Sequence, residues 1–328
     1  TKNALSNINI NWIKQRKVAY SISGVLMLAG IVSLFTRGLD LGVDFQGGFS
    51  YTIEFDSKST FDPQELRDGL KPYLKSAPIV KAVDAQNTYT IVTNYLINEK
   101  TDDVAEKVTQ KLFEGLNAMD KEMEFDDFIK EDAKGVTHII SSTQVGPTVA
   151  DDIKDSAFWA GIIALIVIFL YIFIRFAKWQ FSLGAVIALF HDTIIIIGSF
   201  SLLRGIVPFS LEVDQAFIAA ILTIIGYSIN DTVIVFDRIR EYISKHSTMD
   251  RDALLNAAIN STLSRTLITS GTTFLVILAL FLFGGSSIKG FSFALLVGIL
   301  VGTYSSIFVA TPIVRDFVKE LHSKKQVK

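Results

Sequence analysis

The sequence predicts an α-helical membrane protein of six transmembrane helices, with one α/β domain inserted after the first span. Three observations lead there. Only 20% of the 328 residues are charged, mean hydropathy is +0.41, and whole blocks carry no charge at all. The acids are concentrated. Residues 38–155 hold 23 Asp/Glu against 12 Lys/Arg, which leaves 10 acids and 19 bases elsewhere, so the net charge of −2 hides an acidic segment and a basic remainder. Finally, six apolar stretches approach the roughly 20 residues that a helix needs to cross a bilayer. This distribution excludes a soluble globular enzyme, a disordered chain and a basic nucleic-acid binder.

The spans read as Val18–Thr36, Ser156–Ile174, Phe181–Leu203, Ala216–Phe236, Thr266–Gly285 and Gly290–Thr311. Each is bounded by charge or by a helix stop such as Pro312. The first is too long for a signal peptide and no small-residue cleavage site follows it. Lys2, Lys14, Arg16 and Lys17 precede the first span. Arg175 and Lys178 follow the second, Arg238, Arg240, Lys245, Arg251 and Arg265 lie between the fourth and fifth, and Arg315, Lys319, Lys324, Lys325 and Lys328 follow the sixth. With six spans all of these fall on one side, and basic flanks mark the cytoplasmic side. The expected layout is a cytoplasmic segment 1–17, a first span 18–36 and an outward domain 37–155. Spans two to six then occupy 156–311, with an interfacial cytoplasmic helix at 238–264, and a basic cytoplasmic tail covers 312–328. Ile239, Ile243, Leu254, Leu255, Ala258 and Ile259 give that connecting segment an apolar face able to lie on a membrane surface.

The outward domain reads as β-α-β-β-α-β, the split-βαβ, ferredoxin-like order. Tyr51-Thr-Ile-Glu-Phe55 alternates apolar and polar as a half-buried strand does. Asp62-Pro63 opens a helix with Leu66, Leu70 and Leu74 on one face. Two short strands at 79–84 and 89–94 flank a Gln86-Asn87-Thr88 turn. A second helix follows the cap at Thr101, its expected stripe being Val104, Val108, Phe113 and Leu116. The acidic stretch 121–134 reads as a solvated helix or loop, and Thr137-His-Ile-Ile140 as the last strand. His138 has no acid or serine nucleophile beside it and reads as an ordinary core or surface residue.

No enzyme chemistry is visible. There is no cysteine, and the four histidines fall into neither His-x-x-x-His nor His-Glu-x-x-His, so neither thiolate chemistry nor a zinc hydrolase is expected. What asks for explanation is charge inside the spans. A charged side chain at a bilayer centre costs about 2.5–3.5 kcal/mol on insertion scales. Asp231 lies six residues inside Asp237, about 9 Å of helix rise. Thr223, Tyr227 and Asp231 form a polar stripe at i, i+4, i+8 on the fourth span, and Arg265, Thr269, Thr272 and Thr273 form one on the fifth. Desolvation favours a neutral carboxyl group and a nearby guanidinium favours the ionised one, so a change in their separation loads or releases a proton. A structural hydrogen bond by Asp231 and a snorkelling Arg265 are the plainer alternatives. His191-Asp192, deep in the third span, fits a relay and a helix–helix hydrogen bond equally well. Gly184-x-x-x-Ala188 and Gly298-x-x-x-Gly302 read as close-packing faces.

Four stretches carry a resemblance: Leu41-Gly-Val-Asp-Phe-Gln-Gly-Gly48, Val145-Gly-Pro147, the run from Ser228 through Asn230 and Asp231 to Glu241, and Ser264-Arg-Thr266. Together they resemble the SecF family of protein-export membrane subunits, or the SecF half of a fused SecDF, over essentially the whole chain. Gln46 departs from the family, which more often has Thr there. A chain that begins at Thr1 is expected of a removed start or of a longer, fused polypeptide. The resemblance implies half of a resistance-nodulation-division (RND) type transporter fold in a bacterial inner membrane. It implies no cofactor, a coupling ion that is H+ or Na+, and SecD as partner with SecYEG, YajC and YidC as associates. It places Asp231 and Arg265 in the ion pathway; His191, Asp192, Asn230 and Thr269 stay second-rank candidates on their position in the spans alone. Asp44, Phe45, Gly47, Gly48, Gly146 and Pro147 belong to its signature motifs, expected to form an outward turn and a hinge. Translocating polypeptide is the implied cargo, and nucleic acid is not expected. The competing readings are a chain-binding or assembly factor without ion coupling and a small-molecule efflux subunit.

Overall fold

The computed structural model describes residues 10–56, 61–83, 87–99, 101, 103–120, 123–130, 133, 135–246 and 248–318. Lys2, Gln86, part of the acidic 121–134 stretch and the tail from Lys319 onward lie outside the described residues. In chain order the elements are α1 (Trp12–Arg37), β1 (Asp40–Leu41), α2 (Val43–Gln46), β2 (Gly48–Glu54), α3 (Pro63–Leu74), β3 (Ile79–Ala82), β4 (Thr88–Thr93), α4 (Val104–Met119), α5 (Phe125–Phe128), β5 (His138–Val145), α6 (Pro147–Phe176), α7 (Trp179–Leu203), β6 (Glu212–Val213), α8 (Gln215–Lys245), α9 (Arg251–Phe283) and α10 (Ser286–Ser305). A π-helical turn, Ser306–Ala310, then leads into α11 (Thr311–Phe317). Among the described residues, six helical segments, the last running through the π turn, are long and apolar enough to cross a membrane.

The α/β domain follows the expected order. Its antiparallel sheet runs β3-β4-β2-β5. Alternation along β2 sends Phe49, Tyr51 and Ile53 to one face, where they bury against Leu66, Leu70 and Leu74 of α3 and Val104, Val108, Leu112 and Leu116 of α4. Leu112 takes the place expected of Phe113, which is only half-buried, because the strict i+4 row from Val104 faces the sheet. Part of the acidic stretch is not solvated: α5 drives Phe128, fully buried, into the same core. Leu112→Ala is expected to destabilise this domain by about 2–5 kcal/mol. The check is protease cleavage of the domain at lower denaturant in the full-length protein.

The other face of the sheet meets the helix bundle. Val92 packs with Val43, Val145 and Ala150, which lie in or beside α2 and the first turn of α6. Proline suits the first turn of a helix because its missing N–H has no partner there anyway, so Pro147 starts α6 directly after β5. The second span therefore begins nine residues before the expected Ser156.

Within the bundle, close backbone approach depends on glycine. α1 crosses α7 at Gly30 and Gly198, where a Cβ on Gly198 would stand 2.7 Å from the Gly30 Cα. Gly298 and Gly302 of α10 rest on Ile224 and Ser228 of α8, the close-packing role expected of that motif. The π turn precedes Pro312. Proline lacks the N–H that would bond the Phe308 carbonyl and its ring crowds that carbonyl, so the helix widens by one residue.

The connection between the fourth and fifth spans corrects an expectation. Among the described residues no separate interfacial helix covers 238–264: α8 runs on to Lys245 and α9 begins at Arg251. Ile239, Leu254, Leu255, Ala258 and Ile259 are buried with Ile13, Phe236 and Val314 instead of lying on a membrane surface. Helical spacing reveals an apolar face but not what covers it. Here the cover is the start of α1, whose Ile13 N–H donates to Asn256 Oδ1 (3.0 Å) and whose Trp12 Nε1 donates to Asn260 Oδ1 (2.9 Å).

Candidate functional site

Two buried acids define a polar layer inside the bundle. Asp231 of α8 is 1% exposed. Its Oδ2 accepts a hydrogen bond from Ser270 Oγ of α9 (3.1 Å), and Ser270 Oγ accepts one from Thr303 Oγ1 of α10 (2.7 Å). The neighbouring Thr232 exchanges a hydrogen bond with Ser306 in the π turn (2.9 Å). Three helices thus meet at Asp231 through hydroxyl groups.

Asp192 of α7 is 2% exposed and more fully bonded. Its Oδ2 accepts from Ser228 Oγ (2.7 Å) and Ser305 Oγ (2.8 Å), and its Oδ1 lies 3.0 Å from His191 Nδ1. His191 Nε2 is 2.9 Å from Ser23 Oγ of α1, which is 3.2 Å from the Tyr304 hydroxyl. Tyr304 donates onward to the Ala19 carbonyl (3.0 Å). Ser228 stands one helical turn before Asp231 on α8, so the two acids share one layer that joins α1, α7, α8, α9 and α10.

Arg265 does not join it directly. The side chain is exposed on α9, and its guanidinium makes no hydrogen bond or ion pair among the described residues. Thr262, Leu263, Thr266 and Ser270 form the buried face of this helix, and Arg265 falls outside that arc. The hydroxyl stripe expected beyond Arg265 is spent on its own helix: Thr269 donates to the Arg265 carbonyl (3.0 Å), Thr272 to Ile268 (2.8 Å) and Thr273 to Thr269 (3.0 Å). The stripe on α8 divides as well. Thr223 bonds the Ala219 carbonyl (2.7 Å), Tyr227 keeps a buried hydroxyl without a partner among the described residues, and Asn230 is exposed.

The remaining motif residues connect domain and bundle. Asp44 Oδ2 accepts from the Gln215 N–H (3.0 Å) while Asp214 Oδ1 accepts from Phe217 N–H (2.7 Å), so two carboxylates cap the start of the helix that carries Asp231. Phe45 is buried against Phe200, Phe217 and Leu211. Gly47 and Gly48 have φ of 72° and 136°, and a Cβ on Gly48 would stand 2.7 Å from the Thr93 carbonyl oxygen, so both positions favour glycine. Gly48 pairs with Val145, and Gly146 caps α6 ahead of Pro147. Sequence reasoning missed Ser23, Ser228, Ser270, Thr303 and Ser305. The available signal was a hydroxyl residue at the interior face of four different spans, at the depth of the acids.

Residues 126–320 match the family described as protein export membrane protein SecD/SecF, C-terminal, and residues 32–58 match the SecD/SecF GG motif. The protein translocase subunit SecF of Rhodothermus marinus is 47% identical over 311 residues, covering 94% of this chain and 93% of that protein. The chain belongs to the SecF family. A further SecF, from Petrotoga mobilis, is 36% identical across 95% of this chain and 97% of its own length. Among solved structures, SecDF of Thermus thermophilus, described as a translocon-associated membrane protein, superposes with TM-score 0.77 at 30% identity over 95% of this chain. A second SecDF structure, in a super-membrane-facing form, gives 0.63. The present chain spans 39% of the SecDF polypeptide. Gly47 and Gly48 are the glycine pair inside the stretch that matches the SecF-family GG motif.

Proposed function

We propose that this SecF-family chain is an accessory subunit of Sec protein export that converts an ion gradient into movement of its α/β domain. Asp231 is the ion-carrying group. It sits fully buried among hydroxyls where α8, α9 and α10 meet, with no basic side chain bonded to it among the described residues, and that single observation carries the reading. A carboxylate in this setting is poorly compensated, whereas a protonated or cation-bound carboxyl fits it. Arg265, charged and exposed on the neighbouring helix, sets the field at the site. SecD supplies the rest of the transporter in this reading, and SecYEG, YajC and YidC are its associates. Both termini face the cytoplasm of a bacterial inner membrane and the domain faces the periplasm, where it engages the emerging polypeptide.

The test uses vesicles containing the chain, SecD and the translocation channel. An imposed proton or sodium gradient is expected to increase completed translocation, and a cross-linker on the α/β domain to capture the moving polypeptide. Stimulation that survives collapse of both gradients would instead favour a chain-binding factor without ion coupling.

A further inference from the structure

We infer that Lys81 is a positioning residue, a latch that holds the free edge of the α/β domain to the end of the helix carrying Asp231. This deepens the ion-driven reading and rests on it. The sheet order leaves β3 and β5 as edges. Both covalent connections to the bundle leave from the β2–β5 side: Gly47-Gly48 enters β2, Val145-Gly146-Pro147 leaves β5, and Gly48 pairs with Val145. A domain joined to the bundle along one side can turn about that side. The opposite edge, β3, is held differently.

Lys81 extends from β3, with Nζ 3.0 Å from Asp40 Oδ2 and 2.6 Å from Glu212 Oε2. The three side chains are only 15%, 14% and 22% exposed. Asp40 and Glu212 are themselves partners in the short parallel β1–β6 pair, and Arg204 lies 3.9 Å from the second Asp40 oxygen. Glu212 leads within three residues into α8, past the Asp214 cap. Burial pushes the Glu212 carboxyl above its ordinary range, and Lys81 pulls it in the opposite direction.

Two further observations fit a tie that can open. The sheet face beside Lys81 is not packed solidly on the bundle; a cavity of about 300 Å³ separates Ser50, Thr52, Thr90 and Thr143 from Glu212 and Asp214. Gly42 passes close beneath the latch, and a Cβ there would stand 2.7 Å from Glu212 Oε1. A side chain at position 42 therefore forces the Glu212 carboxylate to shift. Displacement at the start of α8 pulls through Glu212 on one edge of the domain, and through Asp44, bonded to the Gln215 N–H, on the side of the hinge.

The absence of cysteine allows spin labels at two introduced cysteines, Lys71→Cys on α3 and Ile206→Cys in the α7–α8 loop, in the full chain assembled with SecD. Without any gradient, the unmutated latch is expected to give one narrow distance distribution. Lys81→Glu is expected to shift or broaden it, and Lys81→Glu with Glu212→Lys, which restores one base between two acids, to bring the narrow distribution back. Gly42→Ala loosens the latch without touching its charges, and provides the same reading should Lys81→Glu fail to assemble. An unchanged distribution in Lys81→Glu or Gly42→Ala, or a double exchange that assembles without recovering, overturns the latch. The distances are read with no ion gradient, so they stand apart from the motor reading, whose own failure appears as unstimulated export by the parent.

Discussion

Asp231→Asn is expected to leave the chain assembled with SecD and to abolish gradient-dependent export. Asparagine has the same shape and its carbonyl oxygen still accepts the Ser270 hydroxyl at the position Asp231 Oδ2 occupies. The buried layer therefore survives. What is lost is the ability to alternate between charged and neutral forms, which an amide lacks. Stimulation is expected to fall to the level seen with no gradient, while protein abundance and the thermal midpoint stay close to the parent. Arg265→Lys is expected to lose only part of the stimulation. It keeps a cation on the exposed face of α9 but not the planar fork that engages a carboxylate through two bonds. Export assays and abundance, measured side by side, separate a lost ion step from a lost fold.

Asp192→Ala has the opposite profile, a large loss of stability. Both carboxylate oxygens are in use, by His191, Ser228 and Ser305, in a residue that is only 2% exposed. Ser305 retains a second acceptor in the Gly302 carbonyl (3.1 Å), but His191 Nδ1 and Ser228 are orphaned. Each buried group left without a partner costs about 1–3 kcal/mol. The expected result is poor accumulation and a lowered thermal midpoint in detergent. Asp192→Asn retains an acceptor and is expected to assemble and still stimulate export, because an acid this fully bonded holds helices together. A stable Asp192→Asn that has lost gradient-dependent stimulation would move Asp192 into the ion pathway beside Asp231.

Much of this arrangement was legible in the sequence because its signals are local. Six long apolar stretches, the alternation in Tyr51–Phe55 and the Asp62-Pro63 helix start each depend on a few neighbouring residues, and the spans and the βαββαβ order follow from them. Asp231 was legible as an acid where acids are costly. What the spacing does not show is which way Arg265 is turned. Arg265 begins a regular polar stripe, yet the rotation of α9 is set by Leu263, Thr266 and Ser270 packing inward, and sequence spacing does not record that rotation. Threonines that read as a polar stripe bond their own helix carbonyls, a local alternative open to any Ser or Thr in a span. The amphipathic face of Leu254–Ile259 was correctly apolar but is covered by α1 and α11. Lys81, an unremarkable lysine on a short strand, gains its meaning only when β1 and β6 meet beneath it.

The proposed role of Asp231 is to carry the coupling ion. Its most direct test is ion flux through sealed vesicles holding this chain with SecD, with an imposed gradient of protons or of sodium and no exported polypeptide. The parent is expected to conduct one of the two ions, and Asp231→Asn, at equal protein content, to conduct neither above the lipid background. Equal flux from the two proteins would contradict the account and leave Asp231 as a hydrogen-bonding residue that joins α8 to α9.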